Sequence, residues 1–587
     1  MQAPDTYNID YKILWKVVKQ AAPYKRTFLL TALAGIAVAP VAILRPWLVQ
    51  VMVDDYIFRF DLRGLGLMAL AFIGVLIVES LLRYAFNYTS TWLGQAVVRD
   101  LRTRVFDHII KLRLSYFDKT PIGVSTTRTI NDIENINQVF SQGILNILAD
   151  FLMVIVVVAV MFVVSWKLAL VALTTMPFLI IATYIFKEKV KVSFQRVRTQ
   201  IARMNAFLQE RLSGMRIVQI FNAEKQEQEK FRHINREYTQ ANIDSVLYYA
   251  IFFPVVDIIA AASLGLMVWW GAGESLTGGV STGALVAFPL YLNMMFRPIR
   301  MLADKFNTVQ MGLVAAQRVF TLLDRKEFIP DTGTFAPEKL EGEVAFKNVW
   351  FAYNPGEWVL QDISFRIEPG ETLALVGSTG SGKTSIISIL NRLYDIQQGR
   401  IEIDGVDIRD YELYTLRRHI GVVLQDVFLF SGSVLENITL RNDSISREQV
   451  IEAAKVIGAH QFIERLPGGY DYQVMERGAT LSMGQRQLIS FVRALVFDPE
   501  ILVLDEATSS IDPESEAVIQ HAIETLIKKR TSIIIAHRLS TIRHADKILV
   551  LDKGRVAEFG THEELLQIEQ GRYRQLYEMQ FVTAGVA

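Results

Sequence analysis

The stretch of sequence that decides the fold is Gly377-Ser378-Thr379-Gly380-Ser381-Gly382-Lys383-Thr384. It follows the apolar run Leu373–Val376 and precedes a run with helical spacing, Ser385–Leu393. A glycine-rich turn between a strand and a helix directs backbone N–H groups at phosphate oxygens, and the dipole at the helix N-terminus favours the same anions. We predict a phosphate-binding loop in which Lys383 reaches the terminal phosphates and the Thr384 hydroxyl ligates Mg²⁺.

A second motif, Ile501-Leu-Val-Leu-Asp505-Glu506, combines a buried strand with two acidic residues at its end. In a phosphate-loop protein, Asp505 is placed to bind the Mg²⁺ shell and Glu506 is placed to polarise the attacking water. An Asp-Glu pair can also simply cap a helix after a strand. The phosphate loop in the same chain favours the catalytic interpretation.

Strand-like segments alternate with helical ones after residue 343, which predicts an α/β nucleotide-binding domain over residues 343–580 with a tail at 581–587. A polar run with Pro330, Gly333 and Pro337 predicts a linker over residues 323–342. The predicted strands are Val344–Phe351, Leu373–Val376, Ile420–Val423, Ile501–Leu504, Ser532–Ala536 and Lys547–Leu551.

Residues 1–322 differ in character, because the apolar runs lie almost entirely before residue 305. A helix needs about 20 apolar residues to cross ~30 Å of hydrocarbon. We predict a polytopic α-helical membrane domain with six transmembrane helices, which places both chain ends on one side. The predicted spans are Thr27–Met52, Gly64–Phe86, Ile144–Val164, Leu168–Ile185, Val246–Trp270 and Gly283–Met301.

Lysine and arginine residues indicate the orientation of these spans. Seven lie in Arg99–Arg128 and twelve in Lys187–Arg236, whereas the opposite turns around Asp54–Arg63, Ser165–Lys167 and Gly271–Thr282 hold three in total. We predict that both long connections and both termini are cytoplasmic. We also predict that the connections are helices continuing out of the membrane, with a separate soluble insertion as the alternative.

The composition fits a chain that is part membrane-embedded and part water-exposed. Apolar residues make up 51% and charged residues 21%, and the mean hydropathy is +0.26. Lys+Arg and Asp+Glu balance at 61 each, which argues against a nucleic-acid-binding surface. There is no cysteine, whether by nature or by engineering, so disulfide and thiolate chemistry are excluded. The polar segment Met1–Lys25 does not have the pattern of a signal peptide.

The segment Leu481-Ser482-Met483-Gly484-Gln485 resembles the signature loop of ATP-binding cassette (ABC) transporters, and the motif order over essentially the whole chain resembles the exporter type. The resemblance implies ATP and Mg²⁺ as cofactors, and it implies roles for residues outside the phosphate loop. Tyr353 would stack on adenine, and Gln425 would touch Mg²⁺ and sense the membrane part. His537 would contact the γ-phosphate, and Ser509–Asp512 would form the D-loop.

In this family, two nucleotide domains meet head to tail, and each ATP lies between the phosphate loop of one and the signature loop of the other. A single chain therefore cannot build a complete site. Ser115–Gly123 and Gly214–Glu224 resemble the two coupling helices that dock on the nucleotide domains, and Glu476-Arg477-Gly478 resembles the segment beside them. Ordinary surface helix ends are the alternative for the two helices.

Two aspartates, Asp150 and Asp257, lie within predicted spans, where a charge usually faces a cavity or a partner. For Asp257, a structural hydrogen bond and a substrate contact are equally open. Aromatic and methionine side chains on the last two spans suit a promiscuous apolar pocket, although packing and lipid contact are their more common roles. The candidate substrate-cavity set is Asp257, Phe253, Tyr291, Met294 and Met295, with Phe252, Phe288 and Phe296 nearby in sequence.

Met483 stands where the family's signature loop, Leu-Ser-Gly-Gly-Gln, has its first glycine. Glycine permits close approach of the loop to the γ-phosphate, whereas methionine adds bulk and restricts the backbone. With Glu506 and His537 intact, the combination resembles one subunit of a heterodimeric bacterial multidrug exporter, in which one ATP site is active and the other hydrolyses poorly. A homodimer that tolerates Met483 is the alternative.

The resemblance implies an ATPase that exports amphipathic or lipophilic compounds from the cytoplasm or inner leaflet across a bacterial inner membrane. A homodimeric lipid or lipid-A flippase is one alternative. An ATP-gated channel or regulator is another, although Glu506 and His537 argue against it. The implied partners are a second half-transporter, membrane lipid and a small amphipathic substrate, without nucleic acid. The fold does not name the substrate.

Overall fold

The structure is a computed structural model that describes residues 11–505, 513–536 and 542–578, apart from the side chains of residues 302–303 and 513–515. The chain divides into two compact units. The first contains the residues up to 110 and residues 122–325, and the second contains residues 111–121 together with those from 326 onward.

Long helices build the first unit, and a short one between them, α4, belongs to the second. Several run far beyond the thickness of a bilayer: α3 has 49 residues and α10 has 53, so each is about 70–80 Å long, against ~30 Å of hydrocarbon. The two long connections are therefore largely helical, and their continuation out of the membrane stays a prediction. The helices are α1 Tyr11–Lys19, α2 Lys25–Val51, α3 Leu62–Ile110, α4 Leu114–Lys119, α5 Ile122–Thr127, α6 Ile133–Gln138, α7 Ile144–Leu173, α8 Met176–Ser213, α9 Met215–Ile220, α10 Glu224–Leu276 and α11 Thr282–Leu323.

Four helical segments in the described chain are long and apolar enough to cross a membrane, namely Ala22–Ile57, Leu62–Ile110, Ile122–Leu173 and Glu224–Leu276. They contain the first, second, third and fifth predicted spans. Most of the fourth predicted span lies in α8 and the sixth lies in α11, and neither helix is among these four segments. The count of six spans stays a prediction.

The fourth predicted span, Leu168–Ile185, is wrong as a continuous segment. A turn at Thr174–Thr175 separates the end of α7 from the start of α8, where Pro177 occupies one of the first positions. Proline is tolerated there because its missing N–H would have no helical partner. The predicted turn at Ser165–Lys167 is present as a break inside α7, because the backbone of Ser165 is extended.

The second unit is an α/β domain. Its main described sheet has the order β12-β11-β3-β10-β9-β6, in which only the β11–β12 pairing is antiparallel. An antiparallel sheet has the order β2-β1-β4-β5, and β7 pairs with β8. The strands are β1 Val344–Ala352, β2 Trp358–Ile367, β3 Thr372–Gly377, β4 Gln398–Ile403, β5 Val406–Asp407, β6 Ile420–Val423, β7 Gly432–Ser433, β8 Gln473–Val474, β9 Ile501–Asp505, β10 Thr531–Ile535, β11 Lys547–Asp552 and β12 Arg555–Gly560.

The six predicted strands all occur. Five of them are the parallel strands of the main sheet, and the sixth is β1. Parallel strands are covered on both faces and read as continuous apolar runs, as β9 and β10 do here with every residue buried. The helices of this unit are α12 Lys383–Leu390, α13 Leu413–Arg418, α14 Val434–Thr439, α15 Arg447–Ile457, α16 His460–Glu464, α17 Met483–Phe497, α18 Pro513–Ile527, α19 His562–Gln567 and α20 Arg572–Tyr577.

Candidate nucleotide-binding site

The phosphate loop connects the end of β3 to the start of α12. Gly380 and Gly382 have positive φ angles of +82° and +106°, a conformation that side-chain-bearing residues rarely adopt. Gly382 is also closely packed, since a Cβ atom on it would lie 2.5 Å from the side chain of Leu360. Glycine at this position lets the loop turn directly into the first residue of α12.

The Lys383 side chain folds back over this loop. Its Nζ donates to the carbonyl oxygens of Gly377 at 2.7 Å and Ser378 at 2.9 Å, and the residue is only 8% exposed. Burial lowers the pKa of Lys383, and the nearby Asp505 carboxylate opposes that shift. The ammonium group is thus held at the loop by two weak neutral acceptors, which a phosphate could replace with charge-assisted bonds.

The rest of the loop has the chemistry that a polyphosphate needs. The Ser381 Oγ is buried and has no hydrogen-bond partner among the described residues, so a bound phosphate oxygen would satisfy a group that is otherwise costly to bury. Ser378, Thr379, Gly380 and Thr384 are exposed, and Ser385 is buried. The loop therefore combines solvent-exposed residues with a buried hydroxyl donor, Ser381, and a buried ammonium group, Lys383.

The order of the main sheet gathers the other predicted residues at the same edge. β3, β10, β9 and β6 are parallel neighbours, so their carboxyl ends lie side by side. Lys383 follows β3, Asp505 ends β9, and Gln425 follows β6 by two residues. In open α/β sheets this edge is where ligands bind.

Three of the predicted residues could hold Mg²⁺ once a nucleotide is present. Thr384 is exposed at the start of α12, Gln425 is exposed after β6, and Asp505 is buried at the end of β9. Within the described residues, no three acidic, histidine or cysteine side chains converge as a metal site. This donor set fits Mg²⁺, which typically takes one or two carboxylates and completes its shell with phosphates and water.

The remaining catalytic predictions, Glu506, Asp512 and His537, lie outside the described residues. Their roles stay predictions from the sequence.

Tyr353, the predicted adenine-stacking residue, follows the last residue of β1. Its hydroxyl lies 3.0 Å from the Ser385 Oγ, directly after the phosphate loop. Its ring meets Phe351 and Tyr394 edge-on, with centroid distances of 4.8 Å and 5.0 Å. The residue remains 41% exposed, so an aromatic surface beside the phosphate loop is open to a base.

The signature loop has a different construction. Ser482 is exposed and caps α17: its Oγ accepts from the Gln485 N–H at 3.2 Å, and the Gln485 Oε1 accepts from the Ser482 N–H at 3.0 Å. This reciprocal capping box leaves the first turn of the helix well defined. Leu481 and Gly484 are buried beneath it.

The structure corrects one part of the reasoning about Met483. This residue is the first of α17 and lies in an ordinary helical conformation, so the backbone restriction expected of a non-glycine residue imposes no strain here. Side-chain bulk is the remaining difference from glycine. The half-buried side chain lines a cavity of about 330 Å³, whose other walls include Gln425, Asp426, Arg477, Arg486 and Gln487.

The candidate substrate-cavity residues fall into two groups in the first unit. Tyr291 and Met295 are fully buried in an apolar cluster with Phe252, Phe288 and Phe296, so in this conformation they are packing residues. Met294 is half-buried and Phe253 is 40% exposed. These two keep side-chain surface that a substrate could touch.

The two membrane aspartates are paired within the protein. Asp257 accepts from the Arg300 guanidinium at 2.9 Å, and Asp150 pairs with the Lys305 ammonium. For Asp257, the structural hydrogen bond of the two open interpretations is therefore present. Its carboxyl side chain is still 62% exposed.

Sequence reasoning missed a third acidic residue in the predicted spans. The buried Glu79 carboxylate pairs with Arg45 at 2.7 Å and with Arg83 at 2.8 Å. All three residues lie within the first two predicted spans, so the signal was the same one that singled out the aspartates: a charge inside an apolar run.

Sequence reasoning also missed the contacts of the segment that carries α4. The predicted coupling segment Ser115–Gly123 overlaps α4, and its Asp118 accepts a hydrogen bond from the Tyr394 hydroxyl. Arg113 pairs with Asp395 at 3.0 Å. No pattern in the sequence relates these residues, because the partners are far apart along the chain.

Comparison with known protein families finds a match in each of the two units. Residues 28–299 match the ABC transporter transmembrane region, and residues 360–509 match the ABC transporter family of ATP-binding domains. These two matches cover the apolar helices and the strands and loops around the phosphate loop.

Several bacterial proteins are similar over most of their length. An uncharacterized ABC transporter ATP-binding protein, YknV, of Bacillus subtilis is 38% identical over 97% of this chain and 95% of its own. A probable multidrug resistance ABC transporter ATP-binding/permease protein, YheH, of the same species is 38% identical over 91% of this chain and 80% of its own. An ATP-dependent lipid A-core flippase of Desulfotalea psychrophila is 36% identical over 97% and 99%, respectively.

Proposed function

Because the chain belongs to the ABC exporters that fuse a membrane domain to an ATP-binding domain, we propose that it is one half of a dimeric pump for amphipathic or lipophilic compounds. Membership makes the protein an integral membrane ATPase coupled to transport. One observation carries the proposal of a dimer: the chain has a phosphate loop with a buried lysine and, elsewhere, an exposed, capped signature serine.

In this proposal, different residues of the chain bind the phosphates, the base and Mg²⁺ and activate the attacking water. Lys383 and the buried Ser381 hydroxyl bind the phosphates, and Tyr353 supports the base. Mg²⁺, held by Thr384, Gln425 and Asp505, would neutralise the charge on the phosphates. Glu506 orients and polarises the attacking water, and His537 contacts the γ-phosphate.

Exposed apolar surfaces support contact with a second subunit. On α9, within the second predicted coupling segment, Ile217 and Ile220 are each 59% exposed, and Phe221 follows it at 74%. On the nucleotide domain, Phe428 and Phe430 are exposed beside the predicted sensor Gln425. Contiguous apolar surface of this kind marks interaction sites. We propose that α9 of one subunit docks beside Gln425 of the other.

We further propose that the second subunit is a different chain. The support is the half-buried Met483 side chain at the start of the signature helix, where the family has glycine. Its bulk lies on the loop that must approach the partner's ATP, while the sequence retains Lys383, Asp505 and Glu506. In such a pair, this chain supplies the phosphate loop and Glu506 to the active site and its altered signature loop to the weaker site.

A homodimeric lipid flippase is the second candidate. The observation that favours it is the similarity of 36% identity over 97% of this chain to a protein named as a lipid A-core flippase. A similar level of identity links the chain to a probable multidrug resistance transporter, so identity alone does not choose between the two.

The proposed location is a bacterial inner membrane, with the nucleotide domain and both termini in the cytoplasm. The lysine and arginine bias of the long connections supports this orientation, and so does the need for cytosolic ATP. For the substrate surface, we propose Phe253, Met294 and the exposed carboxylate of Asp257, with Tyr291 and Met295 packed beneath it until the helices rearrange.

The test is substrate-stimulated ATPase activity of the purified complex in nanodiscs, measured across lipophilic drugs and lipid A precursors. The export proposal expects stimulation by drugs, and the flippase candidate expects stimulation by lipid A alone. The Glu506→Gln variant is the control, because it binds the same compounds without turnover. Absence of ATP hydrolysis under every condition would contradict both candidates.

A further inference from the structure

Tyr394 contacts two parts of the chain that have separate roles. Its hydroxyl donates a hydrogen bond to the Asp118 carboxylate, in the segment that carries α4. Its ring meets the ring of Tyr353 edge-on, with centroids 5.0 Å apart and planes at 90°. Tyr353 is the residue proposed to support the adenine base, so Tyr394 lies between α4 and the base-binding surface.

The α4 segment is held against this part of the nucleotide domain by further contacts. The Arg113 guanidinium pairs with Asp395 at 3.0 Å, and its Nε donates to the Phe328 carbonyl at 2.6 Å. The Arg113 backbone N–H donates to the Glu327 carbonyl at 2.9 Å. Tyr394 and Asp395 are adjacent, so two neighbouring side chains bind the segment at Asp118, inside α4, and at Arg113, immediately before it.

The Tyr353 side chain contacts two aromatic rings and one hydroxyl group. Phe351 and Tyr394 meet it edge-on, and the Ser385 hydroxyl lies 3.0 Å from its own hydroxyl. Edge-to-face geometry fixes the plane of a ring, because the positive edge of one ring faces the negative face of the other. The plane of Tyr353 therefore follows that of Tyr394.

The Tyr394 hydroxyl is well suited to act as a permanent donor. Partial burial raises its pKa, and the hydrogen bond to Asp118 raises it further. It therefore keeps its proton throughout the physiological range, and the bond to Asp118 does not depend on titration of the tyrosine.

We propose that Tyr394 is a positioning residue through which the α4 segment sets the affinity for ATP. The Asp118–Tyr394 hydrogen bond holds the Tyr394 ring, which in turn holds Tyr353 flat against the adenine. α4 follows α3 and precedes α5 in the chain, so a displacement of those helices that breaks this bond would loosen the base. The inference rests on the proposed ATP site and adds to it a residue that acts through Tyr353.

The test measures equilibrium ATP affinity of the full-length chain in nanodiscs, in the Glu506→Gln background that blocks hydrolysis. Tyr394→Phe keeps the ring and removes the hydroxyl, and we expect ATP affinity to fall by about two- to tenfold, the range of one net hydrogen bond. Asp118→Ala should have the same effect, and the double variant no more. Asp118→Asn keeps an acceptor oxygen and should lose less.

The matched control is Tyr470→Phe, which removes another hydroxyl in the same unit, one that lies 2.9 Å from His460 Nδ1. We expect its ATP affinity to equal that of the parent. Inorganic tripolyphosphate gives a second control, because it carries the phosphates without a base. Its affinity is measured by its competition with ATP for the phosphate loop. Tyr394→Phe should leave the affinity for tripolyphosphate unchanged.

Tyr353→Ala separates this inference from the proposed site. In that background Tyr394→Phe should have no further effect, since the ring it positions is gone. A full additional effect, or an equal loss of tripolyphosphate affinity, would show that Tyr394 acts through α12 and would overturn the inference. Normal affinity in Tyr394→Phe with weakened affinity in Tyr353→Ala would overturn the inference alone. Unchanged affinity in Tyr353→Ala would contradict the adenine assignment itself.

Discussion

The phosphate loop and the signature loop of this chain are built in opposite ways. At the phosphate loop, Lys383 is buried over two carbonyl oxygens, and the buried Ser381 hydroxyl has no hydrogen-bond partner in the part of the chain that the structure describes. At the signature loop, Ser482 is exposed and its hydrogen bonds are already made within its own helix cap. The phosphate loop has polar groups to which a ligand would supply hydrogen bonds, whereas the Ser482 groups at the signature loop are already hydrogen-bonded within the protein.

This difference separates what the chain can do alone from what it does with a partner. Groups that hold the nucleotide are assembled by the sheet edge of one domain, so their effects should be large and independent of the partner. The signature loop acts only on ATP held elsewhere, so its effects should depend on which chain it faces. The following variants test that division, beginning with the largest expected effect.

Glu506→Gln should nearly abolish turnover, by several orders of magnitude if Glu506 is the sole catalytic base, while ATP binding is spared. We expect turnover to be lost without loss of binding because Lys383 and Thr384, rather than Glu506, hold the nucleotide. The ATPase rate and the ATP affinity of the purified complex are the measurements. Glu452→Gln, on the exposed face of α15, is the control and should be normal. Retention of most activity in Glu506→Gln would reject the assignment.

Lys383→Ala should weaken ATP binding and turnover together. A charged hydrogen bond is worth roughly 1.5–3 kcal/mol, which corresponds to roughly 10- to 100-fold in ATP affinity. Isothermal binding and ATPase assays measure the two effects. Lys347→Ala removes a lysine that pairs with Glu402 across β1 and β4, and it should change neither. Equal affinity in Lys383→Ala and the parent would show that the phosphate loop is misplaced.

Met483→Gly should raise the ATPase rate of a dimer made of this chain alone, because the cis elements are already in place and side-chain bulk is the barrier. Since Met483 has an ordinary helical backbone, Met483→Ala should restore activity nearly as well. ATPase assays on confirmed dimers compare the two. Rescue by glycine but not by alanine would show that backbone freedom is what the loop lacks.

Tyr353→Ala should have the smallest effect of the four. Stacking on a base is worth ~1–3 kcal/mol, so the ATP concentration needed for half-maximal rate should rise while the saturated rate stays the same. Steady-state kinetics over a wide range of ATP provide the measurement. Tyr353→Phe keeps the ring and should be close to normal. A lower saturated rate with unchanged ATP requirement would contradict a stacking role.

The sequence predicted most of the nucleotide domain because its signals are local. Buried parallel strands appear as uninterrupted apolar runs, and the phosphate loop carries its own glycines. β2, β4 and β12 were not predicted, because half-exposed antiparallel strands mix polar and apolar residues. In the helical unit, the break at Thr174–Thr175 was missed because it lies inside an apolar run, where hydropathy alone is uniform.

The parts of the site that sequence could not predict depend on distant contacts. Nothing in the chain relates Asp118 to Tyr394 or Arg45 to Glu79 until the helices and sheets are placed. The conformation of Met483 is similar: the family pattern identifies a departure from glycine, but only the helix cap shows that its backbone is unstrained.

The central claim is that this chain needs a different partner to complete an active ATP site. The most direct measurement is the ATPase rate of the wild-type chain purified alone in nanodiscs, after its dimeric state has been confirmed by mass. The account predicts little hydrolysis from that symmetric dimer, because each Glu506 would face a Met483-bearing signature loop. Vigorous hydrolysis by the same dimer would contradict it and would make Met483 a tolerated variant of a homodimer.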